Sequence, residues 1–347
     1  MPKKIKNCFY KNLTFEKLMA AHKRARKHKA YKDEIIEYEF NLENNITNLL
    51  NNIKSKKYRL GKYREFKVYE PKERVIKALP YPDRIVHQWY VEEFIKPYIL
   101  PKFISTSFAC IPERGTHRSA QQIEKYMRIF KRNYGDFWVL KCDISKFFYS
   151  INPRTLFNIM EKYISDKALL DFTKLLIFDR RESFGQVGIP IGNYTSQFFA
   201  NIYLNKMDQY VKRVLKIKYY VRYMDDFILI HRNKKYLQYC LEKINKICNE
   251  ELDLELNQKT QIGLAYNGID FLGFNHILTN SGKVIRKLRF SSKQRMRNHI
   301  KIMCKLKNKS IVDEEYINMR VNAFKAHLKH SDEKSIDSLL SYLNKST

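Results

Sequence analysis

Two adjacent aspartates, Asp225 and Asp226, stand in 219-YYVRYMDDFILI-230 between runs of aromatic and branched residues that favour strands. Like charges held side by side in apolar surroundings are costly unless a cation lies between them. Alternation along the stretch reads as a hairpin with Met224-Asp225 at its tight turn, which presents both carboxylates on a rigid support. Asp143 has a similar setting, at the end of the apolar run in 137-FWVLKCDISKFF-148. If these strands are neighbours in one sheet, three carboxylates meet at one spot and need divalent cations to relieve their repulsion. An oxygen-only donor set without His or Cys selects Mg²⁺, with Mn²⁺ as a substitute. Two such ions about 4 Å apart serve in-line phosphoryl transfer, one activating the attacking hydroxyl and one steadying the leaving pyrophosphate. Paired aspartates are also common in solvated turns, so the flanking strands carry the catalytic reading.

The elements that must hold these residues follow from periodicity. Residues 1–60 read as a polar helical extension with a basic cluster, 22-HKRARKHKAYK-32. The stretch 63-YREFKVYE-70 alternates as a strand, and 74-RVIKALPYPDRIVHQ-88 runs through a proline-marked turn into a helix. Helices are expected over 119–133, 154–178, from 193 onward and over 234–251, with a loop at 179–188 and short strands that include 270-DFLGFN-275. From about 291 the chain is helical by period. Strands interleaved with helices give an α+β fold, with neither repeats nor a Gly/Ser linker.

Composition narrows the partners. The 347 residues carry a formal charge of +30, which points to RNA or DNA, although a solubilising surface accounts for part of it. Residues 281–309 hold eleven Lys and Arg and no acid. Within them Met296, Ile300, Met303 and Leu306 recur at helical steps, leaving Lys293, Arg295, Arg297 and Lys301 for a cationic face suited to duplex phosphates. The basic cluster at 22–32 could serve RNA in the same way. Six scattered cysteines suggest neither zinc nor disulfides and fit a reducing cytoplasm. No apolar run is long enough for a membrane span.

At this point a family resemblance enters. Tyr223-Met224-Asp225-Asp226 resembles the Y-x-D-D box of reverse transcriptases, and 141-KCDISKFFYSI-151 resembles their first catalytic box. A basic segment from Arg74 to Arg84, the P-x-G-x-x-x-S segment at Pro190 to Ser196, 256-LNQKTQ-261 and a primer-grip-like 271-FLGF-274 follow in the family's order. The resemblance implies a right-hand polymerase fold with an antiparallel palm sheet and a short helical thumb. Its parts would be an extension (1–60), fingers (61–136), palm (137–285, with a helical insertion at about 154–188) and thumb (286–347). It implies that Asp143, Asp225 and Asp226 bind two Mg²⁺ with the Ile144 carbonyl as an added ligand. Phe148 would exclude a 2′-hydroxyl, unless it is core packing; one of Phe147 and Phe148 must be, since neighbours on a strand face opposite ways. Arg74, Lys77 and Arg84 would grip the dNTP triphosphate, with Ile191 and Gly192 against the nucleotide. Lys259 matches the position proposed to protonate pyrophosphate, and a solvated surface lysine fits the sequence equally well. Tyr223, Met224, Phe271, Leu272 and Gly273 would face template RNA and the RNA/cDNA duplex.

The variant 191-IGNYTSQ-197, with Ile where most reverse transcriptases keep Gln, resembles the enzymes of diversity-generating retroelements, as do 63-YREFKVYEPKERVIKAL-79 and 106-TSFACIPERGTH-117. That resemblance implies error-prone copying at template adenines and a small basic oligomeric accessory protein. A stand-alone antiphage-defence enzyme with its own noncoding RNA is the alternative. An RNA-dependent RNA polymerase fits less well with Phe148, and an inactive RNA-binding scaffold fits less well with three intact aspartates. The length leaves no room for RNase H or integrase domains beyond the thumb, so those steps are expected from elsewhere.

Overall fold

The computed structural model describes residues 4–69, 73–178 and 187–332. The chain forms two compact units. One comprises Met1–Ile111, Asp143–Lys216 and Glu242–Gln258; the other comprises Pro112–Cys142, Ile217–Leu241 and Lys259–Thr347. The four segments expected from sequence cut the chain at other places.

The first unit is mostly helical. Thr14 opens the Phe15–Arg26 helix by accepting the Lys17 N–H at 3.4 Å. The apolar rhythm at 42–54 becomes the Leu42–Lys54 helix, which buries Ile46, Leu49, Leu50 and Ile53. Proline near the first turn starts the Tyr81–Tyr90 helix, whose Trp89 and Tyr90 join Phe94 and Phe172 in an aromatic core. The expected helix at 154–178 is two, Pro153–Glu161 and Lys167–Phe178. Asp166 explains the break. One of its oxygens accepts the Leu169 N–H, and the other accepts the backbone N–H groups of Cys8 and Phe9, at 2.7 and 2.9 Å. Of the loop expected at 179–188, residues 179–186 lie outside the described residues. The Tyr194–Arg213 helix is buried along most of its length.

Two strands complete this unit. β1 (Arg64–Val68) and β2 (Arg74–Ala78) pair antiparallel, with Glu65 opposite Lys77 and Val68 opposite Arg74. The strand expected from alternation at 63–70 forms, with every residue of β1 exposed. Pairing, not burial, holds this ribbon.

The second unit carries two antiparallel sheets. β3 (Trp138–Cys142), β4 (Tyr219–Tyr223), β5 (Asp226–His231) and β6 (Gln261–Leu264) form one in the order β4-β5-β3-β6. β7 (Ile269–Phe271), β8 (Phe274–Leu278) and β9 (Val284–Leu288) form the other. The Thr116–Tyr134 helix packs on both: the rings of Tyr126 and Phe130 meet Tyr219, each at 5.1 Å between centroids. Toward the second sheet its Glu124 accepts from Arg286 Nε at 2.5 Å and contacts His276 Nδ1 at 3.2 Å. The basic tail forms the Phe290–Asn308 and Glu314–Leu328 helices, joined by a cluster of Ile300, Met303, Ile317 and Val321. Met296 is buried as expected, whereas Leu306, near the end of its helix, is only half-buried. Among the described residues no helix is long and apolar enough to cross a membrane.

Burial alone would raise the Glu124 carboxyl, but hydrogen bonds from His276 and Arg286 and the charge of Arg286 outweigh it and hold the group below its usual 4.5. A depressed carboxylate stabilises the fold above its unfolded value, and that contribution fades as pH falls through the folded one. Glu124→Ala is expected to cost about 3–5 kcal/mol at neutral pH by stranding buried Arg286. Urea unfolding from pH 7 to pH 3 checks this: the gap between wild type and variant should be widest above about pH 5 and shrink on acidification.

Candidate active site

In the first unit, Asp143 is the residue after the end of β3 and is half-buried. Asn257 fixes it at two points. The Asn257 backbone N–H donates to the Asp143 carbonyl at 2.7 Å, and its side-chain amide donates to Asp143 Oδ2 at 3.1 Å. Ile144 bridges antiparallel to Leu256, and the Ser145 N–H donates to the Glu255 carbonyl at 2.9 Å. Bonds on either side of Ile144 make it a non-hydrogen-bonded pair, so its own C=O is directed away from Leu256. That orientation leaves the Ile144 carbonyl compatible with a metal ligand.

Phe147 and Phe148 do not lie on a strand, which corrects the parity argument. They open a single helical turn, Phe147–Ser150, after Lys146 at φ 45°. Phe147 is nevertheless buried and Phe148 partly exposed, because a helical step of about 100° also separates neighbours.

The segment 188–192 is clamped between that turn and β2. The N–H groups of Gly188 and Ile189 donate to the carbonyls of Ile151 and Phe148, both at 2.8 Å. On the other side the Lys77 N–H donates to the Ile191 carbonyl at 2.8 Å. Gly192 has φ 126°, and a Cβ there would sit 2.6 Å from the Lys77 carbonyl oxygen. The backbone of β2 therefore gives this glycine a structural reason of its own, beside the expected approach of a nucleotide. These contacts gather Phe148, Ile191, Gly192 and the strand bearing Arg74 and Lys77. Beyond the clamp, Asn193 donates to the Tyr63 hydroxyl at 2.8 Å, and Thr195 meets buried His87 Nδ1 at 2.7 Å. Burial pushes the His87 imidazole down to about 3, so this contact is made by a neutral ring.

The three expected triphosphate cations differ. Arg74 is exposed at the start of β2. Lys77 pairs across the ribbon with Glu65 at 3.0 Å, an exposed contact that a phosphate readily replaces. Arg84 is committed elsewhere: it meets both oxygens of Glu34, at 2.7 and 3.2 Å, and donates through Nε to the Leu79 carbonyl. These contacts tie to the fold a guanidinium that the sequence assigns to the triphosphate.

In the second unit, Tyr223 pairs with Asp226, leaving Met224-Asp225 as a two-residue turn with Met224 at φ 56°. Both aspartates are half-buried. Arg222, fully buried on β4, donates to the Met224 carbonyl at 2.9 Å and so props a turn whose left-handed residue is not glycine. Thr116 donates to the Tyr223 hydroxyl at 3.3 Å. Lys259 is exposed in the turn before β6.

Phe271 pairs with Phe274 around a turn of Leu272 and Gly273, both at positive φ. Phe271 is wholly buried, so its reading as a nucleic-acid contact is corrected to packing, and Leu272-Gly273 forms the accessible tip. On the Phe290–Asn308 helix, Arg295 and Lys301 are exposed, and Lys293 and Arg297 are half-buried. Sequence reasoning passed over Arg222, Asn257 and His87. Only Arg222 left a signal, a charged residue inside an otherwise uncharged strand.

Among the described residues no three His, Cys, Asp or Glu side chains form a ready-made metal cage. Mg²⁺ rarely needs one, because it keeps waters and takes one or two carboxylates plus substrate phosphates. Asp225 and Asp226, adjacent half-buried carboxylates of the second unit, offer the oxygen donors such an ion takes.

Comparison with known proteins places the chain. The family model for reverse transcriptase (RNA-dependent DNA polymerase) matches residues 62–276. Protein YkfC of Escherichia coli strain K12 is 26% identical over 257 residues, covering 62% of this chain and 67% of its own length. The putative COX1/OXI3 intron 2 protein of Saccharomyces cerevisiae is 24% identical over 252 residues, covering 52% of this chain and 29% of that protein. The structure of apo telomerase from Candida tropicalis, truncated from its C-terminal domain, matches with a TM-score of 0.50 at 16% identity, over 69% of this chain and 58% of that one. The chain thus spans under a third of the yeast protein and under two thirds of the telomerase chain. At such identity the structural likeness shows the fold alone, the right-hand polymerase fold expected from sequence.

Gly192→Ala is expected to cost about 1–3 kcal/mol from backbone strain, with the collision against β2 added. Gly263→Ala, where an added Cβ meets nothing within 4 Å, should be close to neutral. Thermal unfolding of the two variants beside wild type measures the difference.

Proposed function

Since this chain belongs to the reverse transcriptase (RNA-dependent DNA polymerase) family, we propose that it extends a DNA primer along a template RNA, with Asp143, Asp225 and Asp226 as its catalytic carboxylates. One observation carries the assignment. Within the sheet Cys142 pairs with Phe227, and in the chain Asp143 follows the first of these and Asp226 precedes the second. Bound Mg²⁺ supplies charge neutralisation at the reacting phosphate. Around that chemistry Arg74 and Lys77 meet the triphosphate, the Phe148 ring rejects a 2′-hydroxyl, and the segment clamped at Ile191-Gly192 borders the base pair. Lys259 donates the proton to pyrophosphate. The Tyr223-Met224 and Leu272-Gly273 turns and the cations of the Phe290–Asn308 helix hold the primer–template duplex. The segments 61–136, 137–285 and 286–347 serve as fingers, palm and thumb.

The finer reading is mutagenic copying of a template repeat in a diversity-generating retroelement, aided by a small basic accessory protein. The Ile191-Gly192 to Ser196-Gln197 pattern supports it. An amide at 191 can reward correct pairing by hydrogen bonding, and isoleucine cannot, so a mismatch loses less relative to a match. Antiphage defence with a noncoding RNA remains the second reading, resting on the same catalytic set; sequencing the RNA that copurifies with the protein separates the two.

Asp225→Asn is expected to slow primer extension on an RNA template by at least about 100-fold while RNA binding persists, since several kcal/mol of charge stabilisation is removed. Extension near the wild-type rate would overturn the carboxylate assignment. Ile191→Gln should lower misincorporation, read by sequencing cDNA opposite each template base. An unchanged error spectrum would end the fidelity argument and leave the polymerase assignment intact.

A further inference from the structure

The Thr116–Tyr134 helix has one face that neither sheet covers. Arg118, Gln121, Lys125, Arg128 and Arg132 are all exposed. At about 100° per residue they fall within an arc of about 80°, and the four cations span about 21 Å of helix. The inward face is formed by Ala120, Ile123, Met127 and Phe130, all buried. The helix has a single acid, Glu124, and it is turned inward and committed to Arg286 and His276. Among the described residues, no carboxylate pairs with Arg118, Lys125 or Arg128, and Arg132 reaches only the Asn133 side chain, at 3.4 Å.

Three other cations of the same unit are spoken for. Lys131, at the edge of the stripe, is bound to Asp136 and Tyr266, Arg289 to Asp270, and Arg286 to Glu124. A row of like charges with no acid beside it repels itself, a cost that a polyanion relieves.

Beside the row lies a groove of ≈ 400 Å³, between Arg128 and Arg132 on the helix and Asn280, Ser281 and Gly282 in the turn that joins β8 to β9. That turn is fixed in place. The Gly282 N–H donates to the Thr279 carbonyl at 3.0 Å, and a Cβ on Gly282 would touch Lys131 Cγ at 3.7 Å. The groove therefore offers guanidinium forks on one wall and amide and hydroxyl groups on the other. Guanidinium forks match phosphate oxygens two at a time.

We propose that this helix face and the adjoining groove, none of whose residues is among those assigned to catalysis, the triphosphate or the duplex, are a second RNA-binding site, which holds the phosphates of single-stranded RNA. RNA fits better than an acidic protein because an uninterrupted cationic row without apolar anchors lacks the buried aromatic or aliphatic contacts that dominate protein interfaces. The inference does not depend on the catalytic assignment.

The test compares two variants of the full chain. In the first, Arg118, Lys125, Arg128 and Arg132 are all replaced by Gln. In the second, Arg213, Lys216, Lys235 and Lys246, exposed cations on other elements, are replaced by Gln as a control for net charge. Fluorescence anisotropy with an unprimed RNA of about 40 nucleotides, across a salt series, reads the affinity and its slope. The stripe variant should bind at least about tenfold more weakly, with the salt slope lowered by about 2–3, while the control changes by about twofold or less. Both should extend a short DNA primer on a short RNA template at close to the wild-type rate.

If the stripe variant binds RNA no worse than the control, the proposal fails and the face serves some other partner. Selective loss of primer extension, with thermal unfolding unchanged, would also overturn it by placing the stripe in the polymerase track. A wild-type protein that binds RNA through this face yet never extends a primer would overturn the polymerase reading and leave this one standing.

Discussion

Antiparallel pairing of β3 with β5 is the constraint on which the candidate site depends. Side chains alternate along a strand, so a one-residue slip would exchange Asp226 with Phe227 and reverse every neighbour. Two features forbid the slip. Phe227, Ile228, Leu229 and Ile230 are all buried, so a shifted β5 would have to repack both of its faces. The Met224-Asp225 turn leaves no slack between β4 and β5, because Tyr223 and Asp226 already pair. Buried Arg222 then ties the turn to its own strand through the Met224 carbonyl. A charge is placed inside the sheet so that two others can stand still at its end.

The first unit solves a different problem with backbone alone. Segment 188–192 has no regular structure, yet its Gly188 and Ile189 N–H groups bond to the Ile151 and Phe148 carbonyls and its Ile191 carbonyl accepts from Lys77 of β2. Two glycines make this possible: a Cβ at Gly188 would lie 2.9 Å from the Tyr149 carbonyl, and one at Gly192 would lie 2.6 Å from that of Lys77. Irregular backbone held this way keeps its position without a helix or sheet of its own. Ile191, the residue that distinguishes the motif, is thus held through its main-chain carbonyl.

Strong periodicity made much of this legible from sequence. The hairpin at 219–231, the helix around 119–133 and the break at Pro80 emerged where expected because local pattern and tertiary packing agree there. Reading failed where a distant partner decides. Nothing near Arg84 announces Glu34, fifty residues away, and Asn257 finds Asp143 from 114 residues off. Phe147-Phe148 was misread as strand because a two-residue aromatic pattern is too short to distinguish a period of 2 from one of 3.6. The exposure of β1 was hidden for a related reason: alternation reports that two faces differ in composition, not that either is covered.

The large positive charge is less uniform than composition suggests. Arg84, Arg222, Arg286 and Arg289 serve the fold itself, each bonded to a carboxylate or a backbone carbonyl. Such groups contribute little to the field outside, since their charge is either neutralised or buried. The field that a nucleic acid meets comes from cations without nearby acids, such as Arg118, Lys125 and Arg128 along the Thr116–Tyr134 helix. Net charge therefore explains why a polyanion approaches, while the pairing of individual arginines decides where it settles. Diluting the salt strengthens the first effect everywhere, but the nucleic acid sheds counterions only where its phosphates meet cations not already neutralised by an acid, so those contacts set the salt dependence of binding.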